Sequence, residues 1–317
     1  MKTAITAIKL QRYNRFSMQN IKTDFQRNKH KYLMILPVVL FYIIFCYKPM
    51  YGAIIAFKDF SPGLGIMNSP WVGFKYFSDF FTDTNFWRVI KNTFLISFYD
   101  ILFGFPAPII LALLLNEMRH KTLKGTIQTT LYLPHFISIV VVCGMIKSFV
   151  VTDGVVNDII AFFGEQRISM LQVKSLFRTI YVSTNIWQEL GWGSIIYIAA
   201  LSGIDQEQYE AARIDGANRF QQVLHITIPG IAETIIIMLI LRLGQILNVG
   251  FEKIILLYNP SVLETSDVIS SFVYRKGLQE FNWSFSTAVG LFNSVINFGF
   301  LIVANYISKK TTDSGLW

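Results

Sequence analysis

Bond-making chemistry needs nucleophiles, paired acids or metal ligands at fixed spacing, and this sequence offers none of those arrangements. It has no Gly-Lys dipeptide, so a phosphate-cradling G-x-x-x-x-G-K-[ST] loop is absent. There is no HExxH zinc signature, and His30, His120, His135 and His225 are scattered. A G-x-S-x-G nucleophile elbow is missing, and no close pair of acids suits glycoside cleavage. Cys46 and Cys143 lie in apolar runs without metal-type spacing and read as small buried hydrophobes. The chain therefore reads as a non-enzyme without a metal or cofactor of its own. What it does hold is polar residues at helical spacing inside apolar runs. Asn185, Gln188, Glu189 and Trp192 stand at i, i+3, i+4 and i+7, and Arg242, Gln245 and Asn248 form a second such face. Asn293 and Asn297 are one turn apart. Such groups are costly in a bilayer and face a bundle interior or a wet cavity. They could equally serve to glue helices together, with Glu189 and Arg242 as an ion pair.

A second polar concentration is "DQEQYEAARIDGANRFQQVLHITIPG", residues 205–230, with four acids, two arginines and a histidine. Asp205 is a good N-cap, and Gln208 three residues on makes a capping-box-like pair. "QEQYEAARI" favours a short helix over 206–214, and Gly216 allows a turn that a side chain would block. Phe220, Val223 and Leu224 give a second short helix one apolar face. Pro229 suits the first turn of the apolar run that follows. The pattern predicts two short helices lying flat at a membrane surface, small-faced at Ala211 and Ala212, shaped to enter a groove on another protein. An ordinary interfacial connection between two spans is the competing reading.

The elements that position these residues follow from composition. Of 317 residues, 53% are apolar and 15% charged, and 28 are Phe, against about a quarter charged in a soluble domain. The apolar runs approach the ~20 residues needed to cross a bilayer, which makes this an all-α integral membrane protein. Six spans are expected, near 32–47, 92–115, 127–150, 179–203, 231–250 and 285–307, with the first able to run on to Phe57. No alternating pattern supports a barrel of strands. The first 31 residues hold eight Lys or Arg against Asp24 alone, and "NEMRHKTLKG" holds three against one acid. This bias places both termini and the 205–230 stretch in the cytoplasm, and it accounts for the net charge of +8 without invoking nucleic acid. The basic start can rest on anionic lipid. The late, long first apolar run does not look like a cleaved signal, and no repeat or low-complexity tract is visible. The expected organisation is a cytoplasmic arm over 1–30, a membrane domain over 31–308 that includes the loop 204–230, and a cytoplasmic tail over 309–317.

"EAARIDGANRFQQVLHITIP" resembles the EAA loop of binding-protein-dependent ABC importers, with Glu210, Ala211, Ala212, Gly216, Ile226 and Pro229 at the motif positions, Asp215 beside the glycine, and Ile228 where leucine is usual. "PMYGAIIAFKDF", "SPWVGFKYFSDFF", "YLPHFIS", "IWQELGWGSIIYIAALSGID" and "YNPSVLETSDVISSFVYRKGL" resemble the polysaccharide or aldouronate type of the carbohydrate-uptake class 1 permeases, first permease of the pair. The resemblance implies a type I ABC importer permease fold in a Gram-positive cell membrane, with the loop as the helix that couples to a cytoplasmic ATPase. It also implies a second, different permease, two ATPase copies that bind ATP and Mg, and an extracellular lipoprotein that delivers an oligosaccharide. The substrate path would then run past Asn185, Gln188, Glu189, Trp192, Arg242, Gln245, Asn248, Asn293 and Asn297, with Trp187, Trp192 and Tyr197 offering ring faces to sugars. A Glu189–Arg242 pair would favour neutral sugars. The connections 58–91, 151–178 and 251–284 should face the lipoprotein, "YNPSVLETSDV" (258–268) foremost. The rival function, an ion-coupled secondary transporter, would use Glu189 and Asp100 as relay carboxylates, but no inverted repeat is visible and the loop would go unexplained.

Overall fold

The computed structural model describes residues 24–312 together with 315 and 316, so most of the basic arm expected over 1–30, and part of the tail, lie outside the described residues. Among the described residues the structure is helical, with one isolated bridge between Lys58 and Trp71 and no strand. The elements used below are α1 (Lys29–Phe57), α2 (Lys75–Thr82), α3 (Phe86–Glu117), α4 (Lys121–Tyr132), α5 (Ile139–Phe162), α6 (Lys174–Leu201), α7 (Gln206–Ile214), α8 (Arg219–Gly230), α9 (Ala232–Leu243), α10 (Phe251–Leu257), α11 (Ile269–Tyr274) and α12 (Trp283–Thr312).

Among the described residues four helices, α1, α3, α5 and the Trp283–Lys310 part of α12, are long and apolar enough to cross a membrane, and the bent pair α8–α9 makes up to five. The remaining expected span, α6, is 28 residues long but more polar than these, because it carries the amide and acid face read above. Three boundaries differ from the sequence expectation. The third span does not begin at 127: α4 is a separate polar helix that ends where Pro134 sits in a 3-10 turn, and the crossing helix starts at Ile139. Pro229 closes α8 rather than opening the next span, and the chain turns by 59° before α9. The fifth span is not helical to 250 but stops at Leu243. Cys143 is buried, whereas Cys46 is exposed on α1.

Two irregularities matter for function. In α3 the backbone widens into a π-segment over Asp100–Gly104, directly before Pro106, whose missing N–H and ring spoil the regular ladder. After α9, residues 244–250 are irregular. Backbone of this kind is tolerated at membrane depth only where protein or a wet cavity satisfies it. Here Asn297 on α12 does so, its Oδ1 accepting the Leu247 N–H at 2.9 Å. Helix α6 runs through the centre, and at Gly191 it meets α4 so closely that a Cβ would stand 2.1 Å from the Leu131 carbonyl oxygen.

On one side the segment 258–268 is tied down by charge. Asp267 is fully buried and accepts from Arg88 at 2.9 Å, Arg275 at 2.7 Å and Ser271 at 2.8 Å. Asn92 donates to the carbonyls of Glu264 and Asp267, and its own Oδ1 accepts from Arg178 at 2.8 Å. Asp267→Ala strands two guanidiniums, so it is expected to lower stability by about 2–3 kcal/mol, discounted from a fully buried pair because both arginines are partly exposed. Thermal unfolding of the purified protein measures this; an unchanged midpoint would contradict the clamp.

Candidate functional site

A cavity of about 470 Å³ lies between α3, α6 and the broken end of the fifth span. Its polar lining includes Ser97, Asp100, Asn185, Glu189 and Arg242, and its aromatic lining Phe105, Tyr181 and Tyr197. The π-segment puts Asp100 inside, 5% exposed. There it forms an ion pair with Arg242 of α9 and accepts a 2.7 Å hydrogen bond from Asn185 Nδ2 of α6. Gly250 and Val249 of the irregular stretch complete the wall. Three helices thus meet at one carboxylate.

The ion pair expected between Glu189 and Arg242 does not form. Glu189 Oε2 instead lies 3.0 Å from His135 Nδ1, and that imidazole stacks on Trp192 with ring centroids 4.4 Å apart and an interplanar angle of 1°. Asn185 and Glu189 share one face of α6 but stand a turn apart along it: Asn185 meets the Asp100–Arg242 pair, and Glu189 meets His135. The sequence offers Asp100 only as a relay carboxylate, and nothing in spacing along the chain links it to Arg242.

The other candidates separate by role. Asn293 and Asn297 both donate to Asn248 Oδ1, at 2.9 and 3.1 Å, so these three fasten the broken span to α12 instead of facing the cavity. Gln188 is buried off the cavity, and Gln245 is exposed outside it. Trp192 is 45% exposed with His135 covering one face, and Trp187 is 43% exposed. Of the path residues read from sequence, the cavity gathers Asn185, Glu189 and Arg242.

The loop between α6 and α9 is rigid for local reasons. Asp205 caps α7, its Oδ1 accepting the Glu207 N–H at 3.0 Å. The reciprocal capping box belongs to α8, between Asn218 and Gln221. Gly216 joins the two helices at φ +79°, a left-handed conformation that costs other L-residues about 1–2 kcal/mol. Tyr209 and Thr227, both buried, lie with hydroxyl oxygens 3.0 Å apart and brace α7 against α8. Glu210 and Ala211 are exposed, as are Ile214 at 87% and Phe220 at 75%. Phe220 and Leu224, two of the three residues of the apolar face read from the sequence, are thus uncovered by the rest of the described chain. A small hollow between the helices is lined by Ala212, Asp215, Gly216 and Ile226, and Pro229 is exposed beyond it.

Residues 104–313 match the family described as "Binding-protein-dependent transport system inner membrane component". The chain is 47% identical over 293 residues to Protein LplB of Bacillus subtilis, covering 92% of each. It is 42% identical to the polygalacturonan/rhamnogalacturonan transport system permease protein YteP of the same species, covering 92% of this chain and 91% of that one. A solved chain of a bacterial ABC transporter involved in import of the acidic polysaccharide alginate superposes with a TM-score of 0.86 at 44% identity, covering 92% of this chain and 99% of that one. A chain of a bacterial alginate ABC transporter solved in complex with an alginate pentasaccharide-bound periplasmic protein also superposes with a TM-score of 0.86. The chain belongs to the family of inner membrane components of binding-protein-dependent transport systems. It is a membrane-embedded permease with the fold of ABC-transporter permeases, and not an ion-coupled carrier.

Proposed function

We propose that this chain is one of two unlike permeases that take an oligosaccharide from an extracellular binding lipoprotein and pass it inward, driven by two copies of a cytoplasmic ATPase. The loop 204–230 carries this reading: a short, capped, braced pair of helices displays Glu210, Ala211 and the apolar tips Ile214 and Phe220 without covering them. Exposed anchors of this size on a stiff element suit a groove on another protein. Glu210, Ala211, Ala212, Asp215, Gly216, Ile226 and Pro229 are assigned to that contact. ATP and Mg bind the partner, and this chain supplies no cofactor. Both termini lie in the cytoplasm. Helix α1 supports a second permease, since Ala56 alone of its residues is buried by the rest of the described chain. The substrate path runs through the cavity at Asn185, Glu189 and Arg242, with Asp100 added. The acidic polymers named for two relatives favour a cargo that bears carboxylates.

Purification with co-expressed neighbouring chains tests this. The ATPase is expected to copurify, and a chain that purifies alone yet still transports contradicts the reading.

The segment 258–268 is the expected contact for the lipoprotein, but only part of it is free to serve. Val262, Ser266, Asp267 and Val268 are buried, while Pro260, Ser261 and Glu264 are exposed. Lys174 bonds the Glu264 carboxylate and holds its pKa below the usual range. Ser261→Cys should cross-link to the lipoprotein without loss of uptake. Adducts formed only from cysteines in 204–230 would reverse the topology.

A further inference from the structure

The cavity's one carboxylate–guanidinium pair is internally neutral, but a second cation stands behind its wall. Lys253, in the first turn of α10, is 3% exposed, and its Nζ has no hydrogen-bond partner. The ammonium sits 5.2 Å from the ring centroid of Tyr181, the residue that forms the cavity wall beside Gly250. Among the described residues no ion pair reaches it. Glu189, the acid whose field extends to it, is engaged by His135, and the other groups close by are the Cys143 thiol and, through it, Lys147. A lysine buried without an anion is among the costlier choices a membrane protein can make, and a methionine of similar volume would avoid that cost. Tyr181 is shared between that ammonium and the cavity, which gives the missing anion a way in.

We propose that Lys253 is the specificity-determining group for cargo charge: it draws a carboxylate of an acidic saccharide to the Tyr181 wall of the cavity. This rests on the oligosaccharide reading above. It also reverses the sequence expectation of a neutral cargo, which assumed that Glu189–Arg242 was the last charge balance in the path. With Arg242 held by Asp100, Lys253 is the cation left to choose.

The test is equilibrium binding of trigalacturonate, and of its methyl ester as a neutral analogue, to the purified complex without its binding protein, followed by titration calorimetry. The wild-type complex should bind the acid about tenfold or more tightly than the ester. Lys253→Met should erase that preference by weakening the acid alone, with unstimulated ATP hydrolysis unchanged, and Lys253→Arg should retain it. Equal affinities in the wild type, or equal weakening of both ligands in Lys253→Met, overturn the assignment. Failure of both Lys253→Met and Lys253→Gln to assemble identifies a purely structural lysine and also overturns it. Loss of saccharide-stimulated ATP hydrolysis in the wild type is a separate failure and would instead remove the oligosaccharide reading.

Discussion

Gly216→Pro abolishes uptake while the chain still inserts and accumulates normally. The expectation follows from two incompatibilities at one residue. Proline fixes φ near −65°, whereas the turn between α7 and α8 needs +79°. Proline also has no N–H, and the Gly216 N–H donates to the Arg213 carbonyl at 3.1 Å. A misplaced proline costs about 3 kcal/mol or more, enough to disorder two short helices held together mainly by Tyr209 against Thr227 and Ile226. The damage stays local because the turn lies outside the hydrophobic clusters. Glu210→Lys is the companion change: it leaves the backbone alone, reverses an exposed charge, and is expected to cut ATPase copurification as well as uptake. Membrane yield, copurification and uptake measured together decide the matter. Full uptake with both variants would mean that this loop does not couple.

Asp100→Ala is expected to lose most of the folded yield, and the loss should be recovered by changing Arg242 as well. Removing Asp100 takes the anion from Arg242 and the acceptor from Asn185 in one step. Breaking such a pair costs about 3–5 kcal/mol when fully buried, and nearer 2–3 here because the arginine opens on the cavity. Replacing both partners with apolar residues is often neutral, so Asp100→Leu with Arg242→Met should assemble, with uptake still reduced because the cavity has lost its polar centre. Arg242→Ala strands Asp100 and should match Asp100→Ala. Glu189→Gln should leave yield near wild type, since a glutamine oxygen can still accept from His135 and no arginine is stranded. Thermal unfolding across the double-mutant cycle gives the coupling. Strict additivity, or a collapse on Glu189→Gln, would restore the pairing expected from sequence.

How much could be read beforehand depended on whether the signal was local. Helix α7 was legible to the residue because cap, propensity and a following glycine all sit within a dozen positions. The first span's continuation past Lys48 and Pro49 to Phe57 was visible as the lack of a clean stop. Other features were written in partners far along the chain. "ILNVG" after Leu243 looks as apolar as a helix, and its irregular path depends on Asn297, fifty residues later, to take the Leu247 N–H. The apolar face of Phe220, Val223 and Leu224 was legible from its spacing, whereas the inner brace of Tyr209 on Thr227, eighteen positions apart, was not. Helical spacing put Asn185 and Glu189 on one face correctly. It could not say that the face would meet Asp100 across 85 positions, because the rotation of α3 against α6 is fixed by packing and by the π-segment. Lys253 escaped notice altogether, since a single lysine in "FEKIILL" gives no hint of burial.

The most direct test of the central claim is ATP hydrolysis by the complex reconstituted in liposomes, measured with saccharide-loaded and with empty binding protein. The account predicts that the loaded protein stimulates hydrolysis severalfold together with saccharide uptake, and that Gly216→Pro in this chain removes both responses. Uptake that continues without the ATPase, driven by a proton or sodium gradient, would contradict it.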